Sequence, residues 1–212
     1  MNNSKSKLMT NSTEVDIEMD GTKFEYVSEY VYLGQIISPS DIMSKEINKR
    51  IANGWKKYWS LKEIMKSKEL SIHIKKKSFN TCILPCLTYG CETWSLTEHH
   101  RKMVKCQRAM ERSMLGLKLS DKIKSTEIMK KTKVSDILTR IDHLKWSWTG
   151  HMLRCKQNKD STRKRGRPIR RWVDDIRLTL GPQWTRVADD RAEWRLLEEA
   201  YARWHTDLRD IL

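Results

Sequence analysis

Residues 84–94, LPCLTYGCETW, form the densest apolar and aromatic segment of a very hydrophilic chain. Three lysines at 75–77 precede this segment, and the basic run HHRK at 99–102 follows it. An apolar stretch between two basic ones predicts a buried helix whose ends face water. Pro85 lacks a backbone N–H and disfavours helical geometry at Leu84, so the helix either kinks there or gives way to a second helix.

Apolar residues at helical spacing continue on both sides of this segment. Upstream they are Ile47, Ile51, Trp55, Tyr58, Leu61 and Met65, and downstream they are Met103, Cys106, Met110, Met114 and Leu117. We therefore expect a long helix from 41 to 65, a second from Ile72 towards Tyr89 that ends at a left-handed Gly90, and a third capped by Thr97. Together they predict a three-helix bundle. Further along the chain we expect a helix that is capped by Ser135 and has Trp148 on its apolar face, and a last helix that begins at Thr185.

The first forty residues have a different period. Polar and apolar residues alternate on both sides of residues 20–21, an Asp-Gly pair that favours a tight hairpin turn. Residues 31–37 are β-branched and aromatic and predict a third strand. The expected fold class is α+β, mainly α, with a small N-terminal antiparallel hairpin or sheet followed by a helical bundle and C-terminal helices.

Residues 84–94, taken with FEYV at 24–27 through YLGQII at 32–37 upstream, resemble the C-terminal part of LINE-like, non-LTR retrotransposon endonuclease-reverse transcriptases. The resemblance continues in order through KWSWTGHMLR at 145–154 and GRPIRRW at 166–172. Together with the spacing of the apolar residues, this resemblance predicts five regions. They are the end of the palm (1–40), a thumb-like three-helix bundle (41–118), connecting helices (119–155), a basic linker (156–168) and a C-terminal helical hairpin (169–212).

The resemblance implies that the parent protein is an RNA-directed DNA polymerase with an endonuclease. This chain has neither a Tyr-x-Asp-Asp loop nor an endonuclease region, so we expect no polymerase activity from it alone. We also expect no cofactor of its own, because Mg²⁺ belongs to the missing palm. The turn at Tyr32, Leu33 and Gly34 corresponds to the part that grips the primer end. Its alternative role is to help cover the bundle as part of a small sheet.

Charge points to a polyanionic partner. The formal net charge is +15 and the isoelectric point is near 9.7, and lysines or arginines that neutralise phosphates release condensed counterions. Template RNA and primer or target DNA are the expected partners, and an anionic membrane surface is the alternative. The candidate binding residues are Lys45, Lys49, Lys56, Lys57, Lys75, Lys76, Arg163, Lys164, Arg165, Arg167, Arg170 and Arg171. For a single lysine, a merely solvated helix face is equally consistent, and the basic linker also has the composition of a nuclear-import signal.

Aromatic and acidic residues near the C-terminus allow two further interpretations. Trp146 and Trp148 lie beside His151 and Arg154, a pattern typical of stacking on unpaired bases, although tryptophans in a small hydrophilic domain more often belong to the core. The segment WVDD at 172–175 is similar in sequence to a Tyr-x-Asp-Asp loop. Its apolar neighbours follow helical spacing and arginines precede it, so we predict a helix and no catalytic dyad there.

The sequence gives little support for a metal site or a catalytic site. The five cysteines have neither a disulfide framework nor the spacing of a zinc site, and the adjacent histidines 99 and 100 have no activated nucleophile nearby, so we expect no metal and no catalytic residue. No apolar run approaches the length of a membrane span, and no small-molecule substrate is indicated. We expect an intracellular protein, nuclear or cytoplasmic. The alternative functions are a stand-alone or domesticated nucleic-acid-binding module and a helical interaction scaffold.

Overall fold

The computed structural model describes residues 6–10, 12–19, 21–38, 42–94, 100–155 and 172–211. The chain is mainly helical, with short antiparallel strands near its N-terminus, which confirms the predicted fold class. Its contacts form two compact units, Met1–Lys49 and Arg50–Leu212, and the boundary between them falls inside the first long helix. The five regions expected from the sequence stay predictions.

Short strands come first in the chain, and helices follow. The strands are β1 (Glu18–Met19), β2 (Thr22–Lys23), β3 (Tyr30–Tyr32) and β4 (Gln35–Ile37). The helices are α1 (Ile42–Ser60), α2 (Lys62–Met65), α3 (Ile72–Ser78), α4 (Leu84–Thr88), α5 (His100–Leu115), α6 (Ser125–Thr132), α7 (Ile137–Arg154), α8 (Trp172–Leu180), α9 (Trp184–Asp189), α10 (Arg191–Leu196) and α11 (Glu198–Ile211). A π-helical segment, Phe79–Ile83, joins α3 to α4, and 3-10 turns lie at Cys91–Thr93 and Leu119–Asp121.

The N-terminal unit contains two hairpins. β1 pairs antiparallel with β2, so the hairpin predicted around residues 20–21 is confirmed. The single third strand predicted over 31–37 is wrong, because β3 and β4 pair with each other in a separate two-stranded sheet. Leu33 and Gly34 connect them with φ values of 48° and 83°. Two successive positive φ values are those of a type I′ turn, whose twist suits a two-residue hairpin loop.

The apolar segment around Pro85 stays helical. The N–H of Leu84 donates to the carbonyl of Phe79, five residues back, so a π-helical turn occurs immediately before the residue that has no N–H. Leu87 is fully buried, and Gly90 ends the helical stretch with a φ of 74°, as predicted. The sequence anticipated a kink or a break, and the chain accommodates Pro85 by a change of helical register.

Close packing of α1 on α4 depends on a glycine. An ideally placed Cβ on Gly54 would lie 2.8 Å from Cγ of Leu87, well inside van der Waals contact. The predicted apolar face of this helix is correct, since Ile47, Tyr58 and Met65 are fully buried. The helix ends at Ser60 rather than continuing to Met65, and α2 begins at Lys62.

Helix α7 is the element against which much of the C-terminal unit packs. It contacts α4, α5, α9, α10, α11 and the 3-10 turn Cys91–Thr93. Its N-cap is Asp136, whose carboxylate accepts hydrogen bonds from the N–H groups of Leu138 and Thr139, at 3.0 and 3.2 Å. The predicted cap, Ser135, is one residue too early. The cap predicted for α5, Thr97, lies outside the described residues.

The C-terminal helices enclose a second core. Its buried members are Trp146, Ile176, Ala188, Trp194 and Tyr201. The single last helix expected from Thr185 onward is wrong: the chain forms α9, α10 and α11 instead. The carboxylate of Asp190 accepts from the N–H groups of Ala192 and Glu193, and this new N-cap separates α9 from α10.

Candidate nucleic-acid interface

Two of the predicted binding lysines, in the N-terminal unit, contact the second hairpin and its surroundings. Lys45 forms an ion pair with Glu29 and donates to the hydroxyl of Ser38 at 3.2 Å. Lys49 donates to the carbonyl of Gly34 at 3.0 Å. Both ammonium groups therefore already have protein acceptors, and a phosphate would have to compete with them.

The proposed primer-grip residues form the tip of that hairpin. Tyr32 and Leu33 are 58% and 74% exposed, and Gly34 completes the turn. An exposed apolar tip on a tight turn is available for contact with another molecule, although its shape alone does not specify one.

Lys75 lies in the interior. Only 7% of the residue is exposed, and its ammonium donates to the carbonyl of Met114 at 3.2 Å. Burial of a charged amine is costly unless it is hydrogen-bonded, so this contact ties α3 to the end of α5. The structure thus places Lys75 in a structural position, apart from its neighbours Lys76 and Lys77.

The remaining basic residues of α3 face outward. Lys77 is exposed and Lys76 is half-buried, and both line a shallow groove with His73, Asn80 and Thr81. These five residues, spaced 3, 1, 3 and 1 apart, share one helical face, and residues 72–81 contain no Asp or Glu. We call this surface the α3 basic face. The sequence prediction included Lys76 but missed His73 and Lys77, which the i, i+3, i+4 spacing would have identified.

The groove is connected to the start of α7. Nδ2 of Asn80 donates to the hydroxyl of Ser135 at 3.0 Å, and the N–H of Ser135 donates to Oδ1 of Asn80 at 3.2 Å. Lys133 is exposed, has a left-handed φ of 50°, and precedes Ser135 by two residues. Because two residues span at most about 7 Å, another lysine lies near the α3 basic face.

A buried polar network holds this loop in place. Arg108 forms ion pairs with Glu111 and with Asp136, the latter at 2.8 Å, and Thr132 donates to Glu111 at 2.9 Å. Gln107 accepts from the N–H of Ile137 at 2.8 Å. Burial raises the pKa of Glu111 above its ordinary value. The charge of Arg108 and the hydrogen bonds from Thr132 and Arg108 lower this pKa, but the effect of burial is larger. The network joins α5, α6 and α7, and it fixes the loop that meets Asn80.

The tryptophans of α7 have different environments. Trp146 is 1% exposed and stacks on Trp194, with ring centroids 3.9 Å apart and planes 11° apart. The indole N–H of each donates to the carbonyl of the other residue, at 2.8 and 2.9 Å. Trp146 therefore belongs to the core, and Trp148 is half-buried.

An exposed tryptophan occurs instead on α1. Trp59 is 48% exposed, and Nζ of Lys66 lies 5.6 Å from the centroid of its ring. Lys56, also on α1, is exposed, whereas Lys57 is half-buried. Sequence reasoning missed Trp59, although a tryptophan at a lysine-rich position outside the predicted buried face is a recognisable signal.

The basic linker lies outside the described residues. So do the candidate contacts in it and just after it, Arg163, Lys164, Arg165, Arg167, Arg170 and Arg171. The segment WVDD that follows it forms the first turn of α8, in agreement with the helix that its spacing predicts. It is not the β-turn between two strands that a Tyr-x-Asp-Asp loop requires.

The described part of the chain lacks the features of a metal centre and of a membrane span. No group of three or more His, Cys, Asp or Glu residues there is arranged to hold a metal ion. Burial raises the pKa of Cys106 to about 11 and raises that of Cys91 as well. Within the same residues, no helix has the length and apolar character needed to cross a membrane.

Comparisons with known proteins give one informative match. The chain is 27% identical over 201 residues to a Caenorhabditis elegans protein described as transposon-derived and uncharacterized. The match covers 82% of this chain and 71% of that protein. No protein-family model and no solved structure matches the chain. The chain is thus similar to a transposon-derived protein, and this relationship is the conclusion that the comparisons support.

Proposed function

We propose that the chain is the non-catalytic C-terminal part of a LINE-like retrotransposon reverse transcriptase, and that it binds template RNA and primer DNA. The order of the four sequence motifs supports this proposal, and so does the similarity to a transposon-derived protein. The structural observation on which it depends is the acid-free α3 basic face, where lysines converge on one exposed groove.

Binding through this face is electrostatic. Lys76 and Lys77 neutralise backbone phosphates, and Lys133 adds a third positive charge at the edge of the groove. Such contacts position a nucleic acid without reading its sequence. The basic residues Arg163 to Arg171 add further phosphate contacts in this proposal, and the turn Tyr32–Gly34 contacts the primer end. Lys45, Lys49 and Lys75 are assigned to the protein's own structure, because each already has a protein acceptor.

Catalysis is assigned to another part of the parent enzyme. In the resembled family, Mg²⁺ is held by the Tyr-x-Asp-Asp loop of the palm, and this chain contains no such sequence. We therefore propose that it binds no cofactor and incorporates no nucleotide by itself. Its place of action is the nucleus or the cytoplasm, where template RNA and target DNA occur.

One observation favours the alternative of a stand-alone binding module. The alignment covers 71% of the C. elegans relative, which leaves less than a third of that protein for any additional domain. A palm and an endonuclease together need more room than this. A domesticated nucleic-acid-binding protein of similar size is therefore the second candidate, and it uses the same α3 basic face.

Salt dependence of binding tests both candidates. Affinity for an RNA–DNA hybrid with a single-stranded overhang is measured by fluorescence anisotropy across a series of salt concentrations. Lys76→Gln/Lys77→Gln is compared with Lys130→Gln/Lys131→Gln, a matched pair of adjacent exposed lysines on α6. Loss of two phosphate contacts lowers the slope of log affinity against log salt by roughly 1.4 to 1.8. The α6 pair is expected to leave the slope nearly unchanged.

The outcomes separate the alternatives. Equal slopes for wild type and the α3 variant would remove the α3 basic face from the interface. A lowered slope in a variant with Arg163, Lys164, Arg165 and Arg167 changed to Gln would then assign the contact to the linker. Absence of binding at low salt would exclude both nucleic-acid functions and leave the scaffold. Incorporation of dNTPs by the pure chain would contradict its assignment as non-catalytic.

A further inference from the structure

Trp59 is an exposed aromatic residue near the end of α1. The neighbouring Tyr58 and the more distant Met65 are fully buried on the inner face of the helical stretch, whereas Trp59 is 48% exposed. Single exposed apolar residues are ordinary on protein surfaces. Exposure alone therefore assigns no function to this ring.

The ring is held by other aromatic rings. Trp55 stacks beside it with centroids 6.1 Å apart and planes 22° apart, and Tyr58 meets it edge to face at 5.5 Å. Trp55 and Tyr58 also meet edge to face, at 5.4 Å. Three mutually supporting rings restrict the orientation of Trp59, so binding of a flat molecule against it requires little additional ordering.

Lysines are frequent in the segment around Trp59, and one of them contacts its ring. Residues 56–69 contain five lysines against two glutamates, a net charge of +3. Lys56 is three residues before Trp59 on α1, a spacing that favours the same side of that helix. Lys62 and Lys66 follow the end of α1 and line one shallow groove. Nζ of Lys66 lies 5.6 Å from the ring centroid. Glu63 is 3.8 Å from Lys62 in an ion pair exposed to solvent, which reduces the local charge only weakly.

We propose that Trp59 is a stacking platform for an unpaired base of a single-stranded nucleic acid. Lys56, Lys62 and Lys66 neutralise the phosphates on either side of that base. An aromatic face within a basic surface is the combination that binds single strands, because every base has a π-face and every nucleotide a negative charge. In a duplex the base faces are already stacked on one another. The platform therefore specifies single strands as the ligand class of the proposed nucleic-acid function, on which this inference rests.

Lys66 has two states in this scheme. In the free protein its ammonium lies over the Trp59 ring, where the electrons of the ring face attract the positive charge. An incoming base takes the place of the ammonium, which remains close enough to pair with the adjacent phosphate. The ammonium of Lys66 thus exchanges its contact with the ring for a contact with the phosphate, and it stays in solvent throughout.

The test compares a labelled single strand of about 12 nucleotides with a duplex of the same length, by anisotropy at constant low salt. Trp59→Ala is expected to weaken single-strand binding roughly 5- to 150-fold, which corresponds to about 1–3 kcal/mol per stacked base. Duplex binding is expected to change little. Trp59→Phe keeps an aromatic face and is expected to recover most of the affinity.

Tyr89→Ala is the matched control. Tyr89 is 54% exposed, and the guanidinium of Arg50 lies 4.8 Å from its ring centroid, so it is also an exposed aromatic residue beside a cation. Fluorescence gives a second readout: the single strand is expected to quench tryptophan emission of the wild type and to lose most of this effect in Trp59→Phe. A purely structural role of Trp59 would not produce that difference.

Four results would overturn the inference and leave the proposed function standing. They are unchanged single-strand affinity in Trp59→Ala, equal losses for single strand and duplex, an equal loss in Tyr89→Ala, and unchanged quenching in Trp59→Phe. Binding of wild type to phosphatidylserine vesicles that depends on Trp59, together with single-strand binding that does not, would reassign the patch to a membrane surface. If the wild type binds no nucleic acid at low salt, the proposed function itself fails.

Discussion

Individual residues decide how closely the helices of this protein approach one another. An ideally placed Cβ on Gly150 would lie 2.6 Å from Cδ1 of Trp194, so a side chain at this position would collide with the ring that stacks on Trp146. Gly150 therefore permits the reciprocal tryptophan pair, and its role follows from close packing rather than from backbone freedom.

Gly150→Ala is expected to destabilise the protein by about 1–3 kcal/mol, because the added methyl group forces the indole of Trp194 to move. The midpoint of urea unfolding measures this loss, with an unchanged m-value showing that the unfolding transition is otherwise the same. Ser147→Ala, an exposed change on the same helix, is expected to stay within about 0.5 kcal/mol. Equal midpoints for wild type and Gly150→Ala would contradict the described contact.

Cysteine reactivity is a second property decided at single residues. Cys106 is buried with a pKa raised to about 11, so it remains a thiol at about pH 8, and only the thiolate reacts with iodoacetamide. Cys91 is buried and its pKa is raised too, whereas Cys155 is exposed. Peptide mass spectrometry is expected to show early modification of Cys155 and late modification of Cys91 and Cys106, after unfolding. Modification of Cys106 as rapid as that of Cys155 would show that its burial is wrong.

At the scale of elements, two helices begin with aspartate caps that have different surroundings. Asp136 caps α7 and also pairs with the buried Arg108 at 2.8 Å. Asp190 caps α10 with the same two types of backbone contact and is exposed. The two caps thus allow the contribution of the ion pair to be separated from that of capping.

Asp136→Ala is expected to lower the free energy of unfolding by about 2–4 kcal/mol, since it removes a cap and a charged hydrogen bond to Arg108. Asp190→Ala removes a cap alone and is expected to cost about 1 kcal/mol. Asp136→Asn keeps a capping oxygen and is expected to give an intermediate value. Urea unfolding of the three variants measures the series, and equal losses for Asp136→Ala and Asp190→Ala would show that the pair with Arg108 adds nothing.

At the scale of the whole molecule, the C-terminal unit depends on one contact between distant parts of its chain. Trp146 of α7 and Trp194 of α10 exchange two hydrogen bonds across a separation of 48 residues in sequence. The two cores on either side of α7 are therefore stabilised by different contacts. Helices α5 and α6 contact each other and the network around Arg108, whereas α9 and α10 pack on this tryptophan pair.

Trp194→Ala is expected to destabilise the protein by roughly 3–5 kcal/mol, through a lost stack, a cavity and an orphaned carbonyl. Hydrogen exchange is expected to accelerate first in α9, α10 and α11, while amides of α5 and α6 keep more of their protection. Trp59→Ala, which removes an exposed ring, serves as the control and is expected to change exchange little outside its own helix. A uniform acceleration over all helices would indicate a single cooperative core instead.

Sequence patterns predicted the elements better than the positions at which they begin and end. The helical periods located the buried faces of α1 and α5, with Tyr58 and Met110 fully buried. The same reasoning placed Trp148 on the buried face of α7, but Trp146 is the buried residue, because α7 has neighbours on more than one side. A single periodic stripe cannot represent a helix that is covered from two directions.

The candidate site also has features that the sequence predicted and others that only packing decided. The lysine-rich composition predicted a basic surface, and Lys76 lies on it, but Lys75 beside it is buried against Met114. Adjacent lysines on a helix point about 100° apart, so the side of the helix that packs against the protein decides which lysine is buried. The sequence pattern already leaves Trp59 outside the buried face, but its contacts with Trp55, Tyr58 and Lys66 required the structure.

The sequence by itself determined the fold class, the buried faces of the long helices, the hairpin around residues 20–21 and the basic character, because these follow from local periodicity, turn chemistry and net charge. Tertiary structure decided which lysines remain available and which tryptophans are buried. It also decided where Asp136 and Asp190 start new helices. These outcomes depend on contacts between residues far apart in the chain, such as Trp146 with Trp194 and Asn80 with Ser135, and no local pattern encodes such contacts.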